Sequence, residues 1–347
     1  MNKRNEKKQN LTMIIEMLRR YGAMTQARLK EYCGLQASTV SYLVSDLKQY
    51  GVIKDSGAEI QQQPKIGKPG NVIELDNNDS QFLGMYVEDE FIDVYLIGID
   101  GTTINEERIS MAEASVKETV MKTVKRKISA NPHISGIGIA IKAIVYTDGT
   151  VKSAQRFGPD KKRRNWSFSG LLSGLQRAYP QIPIIVENDA NSIAELYNYN
   201  CKREKKDIIV YLMNKEPFGI GCGLLMDGRL YRGARGAAGE IPDSASVIKD
   251  IDIKNMDDRT FLETIIKYIT PYVFGAAAFL DPECIVFTGS CLNGLVSYCE
   301  ELMSDISAKT GIPMTAESVD ILNPAKGAAL LVIDKYVANL VNEVAMG

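Results

Sequence analysis

The sequence predicts an α/β protein with a small helical head, residues 1–76, and a larger two-lobed body, residues 80–347. The first 70 residues contain twelve Lys or Arg and six Asp or Glu, whereas the whole chain has a net charge of −2. Apolar residues recur at helical spacing in the head, and from Phe82 onward apolar strands alternate with helices. The apolar run IPIIV ends in the polar segment ENDAN and then becomes helical, as at a ligand site in an open α/β sheet.

The composition is that of a globular protein with an ample core, since 45% of the residues are hydrophobic and 24% are charged. No stretch reaches the ~18 uncharged apolar residues of a membrane span, and the N-terminus lacks the apolar core of a signal peptide. Six cysteines are scattered without a CxxC pair, which predicts reduced thiols. We therefore expect a cytoplasmic protein without a membrane partner.

The head has the pattern of a winged helix-turn-helix. A first helix is predicted by apolar residues at helical spacing: Leu11, Ile14, Ile15 and Leu18. Thr25 is the expected N-cap of a second helix, Gly34 the break after it, and Ser38 the expected cap of a third. The segments VIKDSG and NVIELD alternate as short strands around QQQPKIGKPG, which predicts a wing.

The outward face of the third helix predicts contacts to double-stranded DNA. Its short hydrogen-bonding side chains suit base edges and phosphates in a major groove, and the candidates are Gln36, Ser38, Thr39, Ser41, Tyr42 and Ser45. Lys65 and Lys68 on the wing suit the phosphates or the minor groove. A small protein-interaction module is the alternative. Because one head offers few contacts, we expect a homo-oligomer, dimer or tetramer, on an inverted-repeat operator.

The body reads as two similar halves. The first half begins with a predicted strand meander, FLGMYVEDEFIDVYLIGIDGTTINEERI, which is followed by a helix and by ISGIGIAIKAIVYTDGTV. The second half repeats this alternation in DIIVYLM, GIGCGLLMDGRLYRG, CIVFTGS and KGAALLVIDKYV. Two βββαβα-like halves meeting at a cleft, with a hinge near residue 190, describe the two-lobed actin-like ATPase (ribonuclease H-like, sugar-kinase-type) fold.

Several blocks of the chain resemble those of the ROK family (repressors, open reading frames and sugar kinases). VENDANSIAELY resembles its ENDAN block, GIGCGLLMDGRLYRGARGAAGE its glycine-rich block, and LDPECIVFTGS its DPxxIVxGG block; the head resembles that of ROK repressors. The resemblance implies that Asn188 and Asp189 bind a sugar, with Asp189 the catalytic base in a kinase, and that Glu240 bonds sugar hydroxyls. Paired acceptors and an amide also suit vicinal hydroxyls.

The body departs from the family at the nucleotide phosphate site. Where the kinases have a DxGGT hairpin, this chain has GMYVEDEF, with Tyr86 about where the Asp stands and Glu88, Asp89 and Glu90 in place of small residues. Carboxylates there would repel a triphosphate. EPFG replaces TGTG, and FTGSC keeps only Gly289 of the adenosine-side glycines. We therefore predict no ATP binding, no catalytic residue and no enzyme activity.

A structural zinc site is also not expected. Where the family has GEIGH and a CxCGxxGCxE block, this chain has GEIPDSASVIKDIDIKNMDDRTF, without a nearby cysteine. The single histidine, His133, lies in the loop NPHISG and is expected to be solvated. The sequence predicts no metal and no cofactor.

Two cations mark a possible preference for an anionic ligand. The stretches GIGIAIKAIV and SAQRFG place Lys142 and Arg156 near positions that are normally neutral in the family. They could recognise a sugar phosphate or a sugar acid. Surface charges that reach solvent are the alternative.

Three hypotheses for function follow. The first is a transcriptional regulator, a repressor of carbohydrate-use genes, that binds a sugar or sugar-derivative effector in a degenerate sugar-kinase cleft. The second is a residual ATP-dependent sugar kinase fused to a DNA-binding domain. The third is a regulator controlled by a protein partner, with a vestigial cleft.

Overall fold

A computed structural model describes residues 3–57, 71–88, 90–111, 116–147, 150–153, 170–215, 218–241, 255–318 and 321–346. The predicted DNA contacts Lys65 and Lys68, the predicted ligand contact Arg156 and the hairpin residue Asp89 lie outside these ranges.

The head contains three helices and a small sheet within the described residues. The helices are α1 (Lys3–Tyr21), α2 (Gln26–Cys33) and α3 (Ala37–Gln49), and the strands are β1 (Met24–Thr25), β2 (Ile53–Asp55) and β3 (Val72–Leu75). β3 pairs antiparallel with both β1 and β2. The helical region fits the predicted helix-turn-helix.

Capping explains where these helices begin and end. The Thr25 side chain accepts a hydrogen bond from the backbone N–H of Arg28 at 3.3 Å, and Gly34 ends α2 at φ +64°, as predicted. The predicted cap Ser38 is wrong, because α3 begins at Ala37, two residues earlier than a cap at Ser38 implies. Gln36 occupies the N-cap position without a side-chain bond to the helix, and Ser38 lies in the first turn.

The two lobes of the body have the same sheet order. The first lobe contains β4 (Gln81–Val87), β5 (Phe91–Gly98), β6 (Thr103–Ser110), β7 (Ile134–Ile141) and β10 (Ile184–Asn188), in the order β10-β7-β4-β5-β6. The second contains β11 (Ile208–Asn214), β12 (Gly219–Met226), β13 (Arg229–Leu230), β14 (Cys284–Thr288) and β15 (Met314–Ala316), in the order β13-β12-β11-β14-β15. In each, three antiparallel strands are extended by two parallel ones. This repetition confirms the predicted α/β class.

Helices cover both faces of each sheet. The outer ones are α4 (Val116–Ala130) and α5 (Leu171–Ala178) on the first lobe, and α7 (Asp258–Leu280) and α8 (Val296–Thr310) on the second. The inner ones, α6 (Asp189–Asn200) and α9 (Pro324–Val344), lie between the two sheets. A short hairpin of β8 (Ala143–Val145) and β9 (Val151–Ser153) follows β7.

Glycines allow the inner helices to approach their neighbours closely. A Cβ on Gly327 of α9 would lie 1.9 Å from the carbonyl oxygen of Ser192 on α6. A Cβ on Gly84 of β4 would lie 2.0 Å from the carbonyl oxygen of Ala325 on α9. The sheet of the first lobe, helix α9 and helix α6 are therefore tightly packed against one another. A side chain at either glycine would force these elements apart.

The head packs directly on the body. The buried apolar residues of α1 belong to one continuous cluster with those of α6 and α9. α1 also contacts α9 directly. No helix in the described part of the chain is both long and apolar enough to cross a membrane.

Candidate ligand-binding cleft and DNA-binding face

The junction of β10 and α6 presents the ENDAN side chains. Asn188 is the N-cap of α6: its Oδ1 accepts hydrogen bonds from the backbone N–H groups of Ala190 at 2.9 Å and Asn191 at 3.2 Å. Its Nδ2 donates to the carbonyl oxygen of Ala143 at 3.2 Å. Most of the hydrogen-bonding capacity of this amide therefore shapes the site, and its second N–H has no bond to a described residue.

Asp189, the first residue of α6, is the buried carboxylate of the site. It is 6% exposed, and its Oδ1 accepts a hydrogen bond from the backbone N–H of Ala190 at 2.9 Å. Burial raises the pKa of Asp189 to about 6, the charge of Lys142 opposes this rise, and the charge of Glu88 adds to it. The remaining lone pairs of Asp189 can accept hydrogen bonds from ligand hydroxyls.

Glu240 approaches Asp189 from the second lobe. It lies at the end of a loop that requires glycine, because Gly239 has φ +83° and a Cβ there would lie 1.9 Å from the carbonyl oxygen of Cys222. The side chain is reached by solvent, but nearby protein atoms desolvate it in part. This desolvation, followed by the charge of Asp189, raises the pKa of Glu240 to about 7. Two carboxylates from different lobes therefore lie close enough to interact electrostatically.

Glu187 and Arg232 connect the lobes beside this pair. Glu187 is 4% exposed, and its Oε1 accepts hydrogen bonds at 2.9 Å from the backbone N–H of Asn188 and from Nδ2 of Asn191. Its Oε2 lies 2.7 Å from Nε of Arg232, on the loop after β13. The sequence reasoning missed Arg232. A lone arginine in a glycine-rich loop gives no signal of a partner on another lobe.

Lys142 and the hairpin after β4 form the third part of the cleft. The ammonium of Lys142 forms an ion pair with Oε1 of Glu88, which also accepts a hydrogen bond from the Tyr86 hydroxyl. Lys142 Nζ lies 5.9 Å from the centre of the Tyr86 ring. Glu88 is 7% exposed, whereas Glu90 is exposed. The expectation that the hairpin carboxylates simply repel anions is therefore corrected for Glu88, because a cation neutralises it.

The described residues contain no cluster of three or more His, Cys, Asp or Glu placed to hold a metal ion. His133 is exposed, as expected of a solvated loop residue. The segment that replaces the family's cysteine block begins at Pro242 and falls mostly outside the described residues.

The outward face of α3 is accessible. Gln36, Ser38, Ser41 and Ser45 are exposed, Thr39 is half-buried, and Tyr42 is 57% exposed. A residue of α1 that the sequence reasoning missed supports this face: Lys7 Nζ donates to the Tyr42 hydroxyl at 3.3 Å and pairs with Asp46 at 2.9 Å.

Fold and cleft together define a two-lobed protein of the sugar-kinase type with a helix-turn-helix head. The ROK family model matches residues 88–242, and the chain therefore contains a ROK family domain.

Curated relatives of the chain include transcriptional regulators. The xylose repressor of Bacillus subtilis (strain 168) is 25% identical over 242 residues, which cover 68% of this chain and 60% of that protein. The DNA-binding transcriptional dual regulator NagC of Escherichia coli (strain K12) is 20% identical over 244 residues, which cover 68% of this chain and 57% of that protein. The chain thus spans about 60% of the length of the first of these relatives.

Solved structures confirm the two-lobed actin-like ATPase fold. A ROK family transcriptional regulator, homologue of the Escherichia coli MLC protein, superposes with a TM-score of 0.67 at 14% identity, covering 98% of this chain and 99% of that one. A ROK family glucokinase from Streptomyces griseus, in complex with glucose and AMPPNP, has a TM-score of 0.51 at 15% identity, covering 73% of this chain and 99% of that one. At these identities the likeness shows the fold alone.

Proposed function

We propose that this protein is a transcriptional repressor of carbohydrate-use genes whose binding to double-stranded operator DNA responds to a sugar in the cleft. The head, residues 1–76, binds DNA, and the body, residues 80–347, binds the sugar between two lobes that close about a hinge near residue 190. The names of the curated relatives, xylose repressors and NagC, support this proposal. Such a regulator acts in the cytoplasm, where the chromosome lies.

The observation that most supports a coupled function is the course of α6. This helix begins at Asp189 in the cleft and ends at Asn200, next to a buried ion cluster that holds the head. Arg203, just after α6, lies 2.6 Å from Oε1 of Glu195 on α6 and 3.1 Å from Oδ2 of Asp334 on α9. One rigid helix therefore joins the ligand site to the cluster.

The same cluster includes two residues of α1. Arg19 Nη1 lies 2.5 Å from Oδ1 of Asp334 and 3.1 Å from Oε1 of Glu16. Arg203 Nη1 lies 3.8 Å from Oε2 of Glu16. A shift of α6 on ligand binding would change the distances of Arg203 to its partners and so bias the position of α1.

The kinase alternative is less well supported by the cleft. Asp189, with a pKa near 6, could serve as a general base. However, the hairpin that would bind phosphate carries the side chain of Glu88, and Tyr86 and Lys142 both bond to its carboxylate. We therefore propose that the protein does not transfer phosphate from ATP.

The proposal includes a symmetric dimer or tetramer on an inverted-repeat operator, because α3 of a single head presents a small reading surface. Sizing in solution and a footprint on the selected DNA check this part. A monomer that protects one half-site would contradict it.

The function is tested in two steps. Operator fragments are first selected from genomic DNA with the full-length protein, and thermal unfolding is then measured with neutral sugars, among them xylose, glucose and N-acetylglucosamine, and with their phosphates. A ligand at ~100 times its Kd adds ~2.7 kcal/mol to the free energy of unfolding, which is readily detected. Any ligand found is titrated into the operator complex. A protein that selects DNA but responds to no sugar or sugar phosphate would favour control by a protein partner.

A further inference from the structure

We propose that Glu88 determines the specificity of the cleft: by holding the Lys142 ammonium, it makes the cleft select neutral sugars over sugar phosphates and sugar acids. This inference rests on the proposed function, in which the cleft binds a sugar. It assigns a role to a hairpin that the sequence identified only as a lost phosphate site.

Strand register brings the two residues together. β4 and β7 are parallel neighbours, and Val87 pairs with Ile141. Glu88 and Lys142 each follow directly after these partners, so they emerge side by side at the carboxyl edge of the sheet. β10 pairs with the other side of β7, with Asn188 opposite Ile141, and Asp189 follows at the same edge. The register therefore places Glu88, Lys142 and Asp189 in one row.

The pair is enclosed rather than solvated. The side chain of Lys142 is 15% exposed and that of Glu88 is 10% exposed. Glu88 is fixed from its other side, because the Tyr86 hydroxyl donates to the same carboxylate oxygen, Oε1. The backbone N–H of Glu88 also closes the hairpin, donating to the carbonyl oxygen of Phe91 at 2.9 Å. The position of the Glu88 carboxylate is therefore fixed by the Tyr86 hydroxyl and by the hairpin turn, and Lys142 is its counter-ion.

The charges around the ligand position favour a neutral molecule. Asp189 and Glu240 are both acidic, and the charge of Asp189 contributes to the raised pKa of Glu240, so an added anion would be repelled by the same groups. Of the cations near them in the described part of the chain, Arg232 is bonded to Glu187 and Lys142 to Glu88. To bind Lys142, an anionic ligand would have to break the ion pair between Lys142 and Glu88. The buried carboxylate of Glu88 would then be left without a cation. A neutral sugar avoids this cost and can donate its hydroxyls to Asp189 and Glu240.

The test is a change of selectivity in the full-length protein. Affinities are measured by calorimetry for matched pairs: xylose and xylose 5-phosphate, glucose and glucose 6-phosphate, and N-acetylglucosamine and its 6-phosphate. For the wild type, the neutral member of a pair should bind more tightly. Glu88→Gln keeps an acceptor for the Tyr86 hydroxyl and removes the charge that holds Lys142. The variant should shift the ratio of affinities toward the phosphate by about 10- to 100-fold, the range of a charged hydrogen bond.

Two further variants show whether the shift comes from Lys142. Glu90→Gln makes the same change of charge on the same turn, at an exposed position, and should leave the ratio within about twofold of the wild type. The double variant Glu88→Gln, Lys142→Gln should lose the gained affinity for phosphate. Far-UV circular dichroism and thermal unfolding check that each variant is folded.

The outcomes separate this inference from the function on which it rests. If no member of any pair binds the wild type, the proposed function fails. If sugars bind but Glu88→Gln leaves the ratio unchanged, the inference is overturned while the function stands. Should Glu88→Gln not fold, Lys142→Gln decides. A loss of tenfold or more in phosphate affinity would identify Lys142 as an anion receptor and overturn the inference, whereas an unchanged phosphate affinity supports it.

Discussion

Arg19 and Asp334 form an ion pair across 315 positions of sequence, with Arg19 Nη1 2.5 Å from Oδ1 of Asp334. Arg19 lies on the first helix and Asp334 on the last, and the side chain of Arg19 is 1% exposed. The charge of Arg19, with that of Arg203, keeps the pKa of Asp334 below its ordinary value, although burial alone would raise it. The pair therefore joins head to body through ionised groups, and it shares Asp334 with Arg203.

Arg203→Met is expected to uncouple the two functions. The variant removes the residue that joins α6 to Glu16 and Asp334, but it changes neither the cleft nor α3. Operator affinity and sugar affinity should each persist, while the effect of sugar on operator affinity falls severalfold. Removing one member of a buried ion pair also destabilises a protein by about 3–5 kcal/mol, so urea unfolding must be measured alongside.

A matched control for this prediction lies three residues away. Lys206 pairs with Asp227 at 3.6 Å, and both side chains are exposed. Lys206→Met should leave stability, operator binding and the sugar response unchanged. Equal sugar responses in wild type and Arg203→Met would show that the cluster transmits nothing.

Asp189→Asn should stabilise the protein above about pH 6. Burial raises the pKa of Asp189 from 3.8 to about 6, so the native state binds more protons than the unfolded state between these values. The contribution of Asp189 to the free energy of unfolding therefore falls as pH rises from about 4 to 6. The amide of the variant does not ionise, so the variant avoids this decrease in the free energy of unfolding, which is about 3 kcal/mol. Denaturation curves at pH 4 and pH 8 should show a gain at pH 8 that is absent or much smaller at pH 4.

Asp189→Ala should raise the concentration of sugar needed for a response. The substitution leaves a ligand hydroxyl without its acceptor, at a cost of roughly 1–3 kcal/mol, or about 5- to 150-fold in affinity. Glu240→Ala should behave likewise, and both variants should stay folded and bind DNA. Titration of the operator complex with sugar gives the comparison, and variants that respond at wild-type concentrations would point to a vestigial cleft.

Variants in the head should separate base reading from phosphate binding. Ser41→Ala and Tyr42→Ala change the exposed face of α3 and should weaken specific operator binding. Lys65→Ala and Lys68→Ala should weaken binding to all sequences and reduce the dependence of affinity on salt. Affinities for operator and random DNA over a range of salt concentrations provide the test. An equal loss on both DNAs for all four variants would refute the assignment.

The protein should not bind ATP with magnesium at micromolar affinity. Tyr86 and Lys142 both bond to the carboxylate of Glu88, where a phosphate-binding turn would need bare backbone amides. Calorimetry with ATP and magnesium should show no heat of binding, and glucose should not be phosphorylated. Turnover of any sugar would restore the kinase alternative.

Local patterns predicted much of the fold, because spacing and turn residues act within one element. The helix periodicity from Leu11 to Leu18 and the end of α2 at Gly34 are examples. The start of α3 was misplaced by two residues, since serine is a common N-cap and glutamine is a poor one, yet the cap is Gln36 and not Ser38. The preference of residues for the N-cap position could not locate the start of α3, because the turn before the helix determines where it begins.

Partners on different strands could not be predicted. Glu88 and Lys142 are 54 positions apart, and only the parallel register of β4 and β7 makes them neighbours. The bond between Glu187 and Arg232 depends likewise on how one lobe meets the other. The resemblance to the ROK family identified Asp189 and Glu240. Only the folded structure shows that Lys142 pairs with Glu88 and that Arg232 pairs with Glu187.

The continuous apolar cluster that joins α1 to α6 and α9 limits how this protein can change its DNA target. A head exchanged for that of another regulator would have to match the surface of α9 as well as fold by itself. Isolated heads would expose the apolar side chains that α9 now covers, and would tend to aggregate. New operator preferences are therefore more accessible by point substitutions on the solvent side of α3 than by recombination of whole segments.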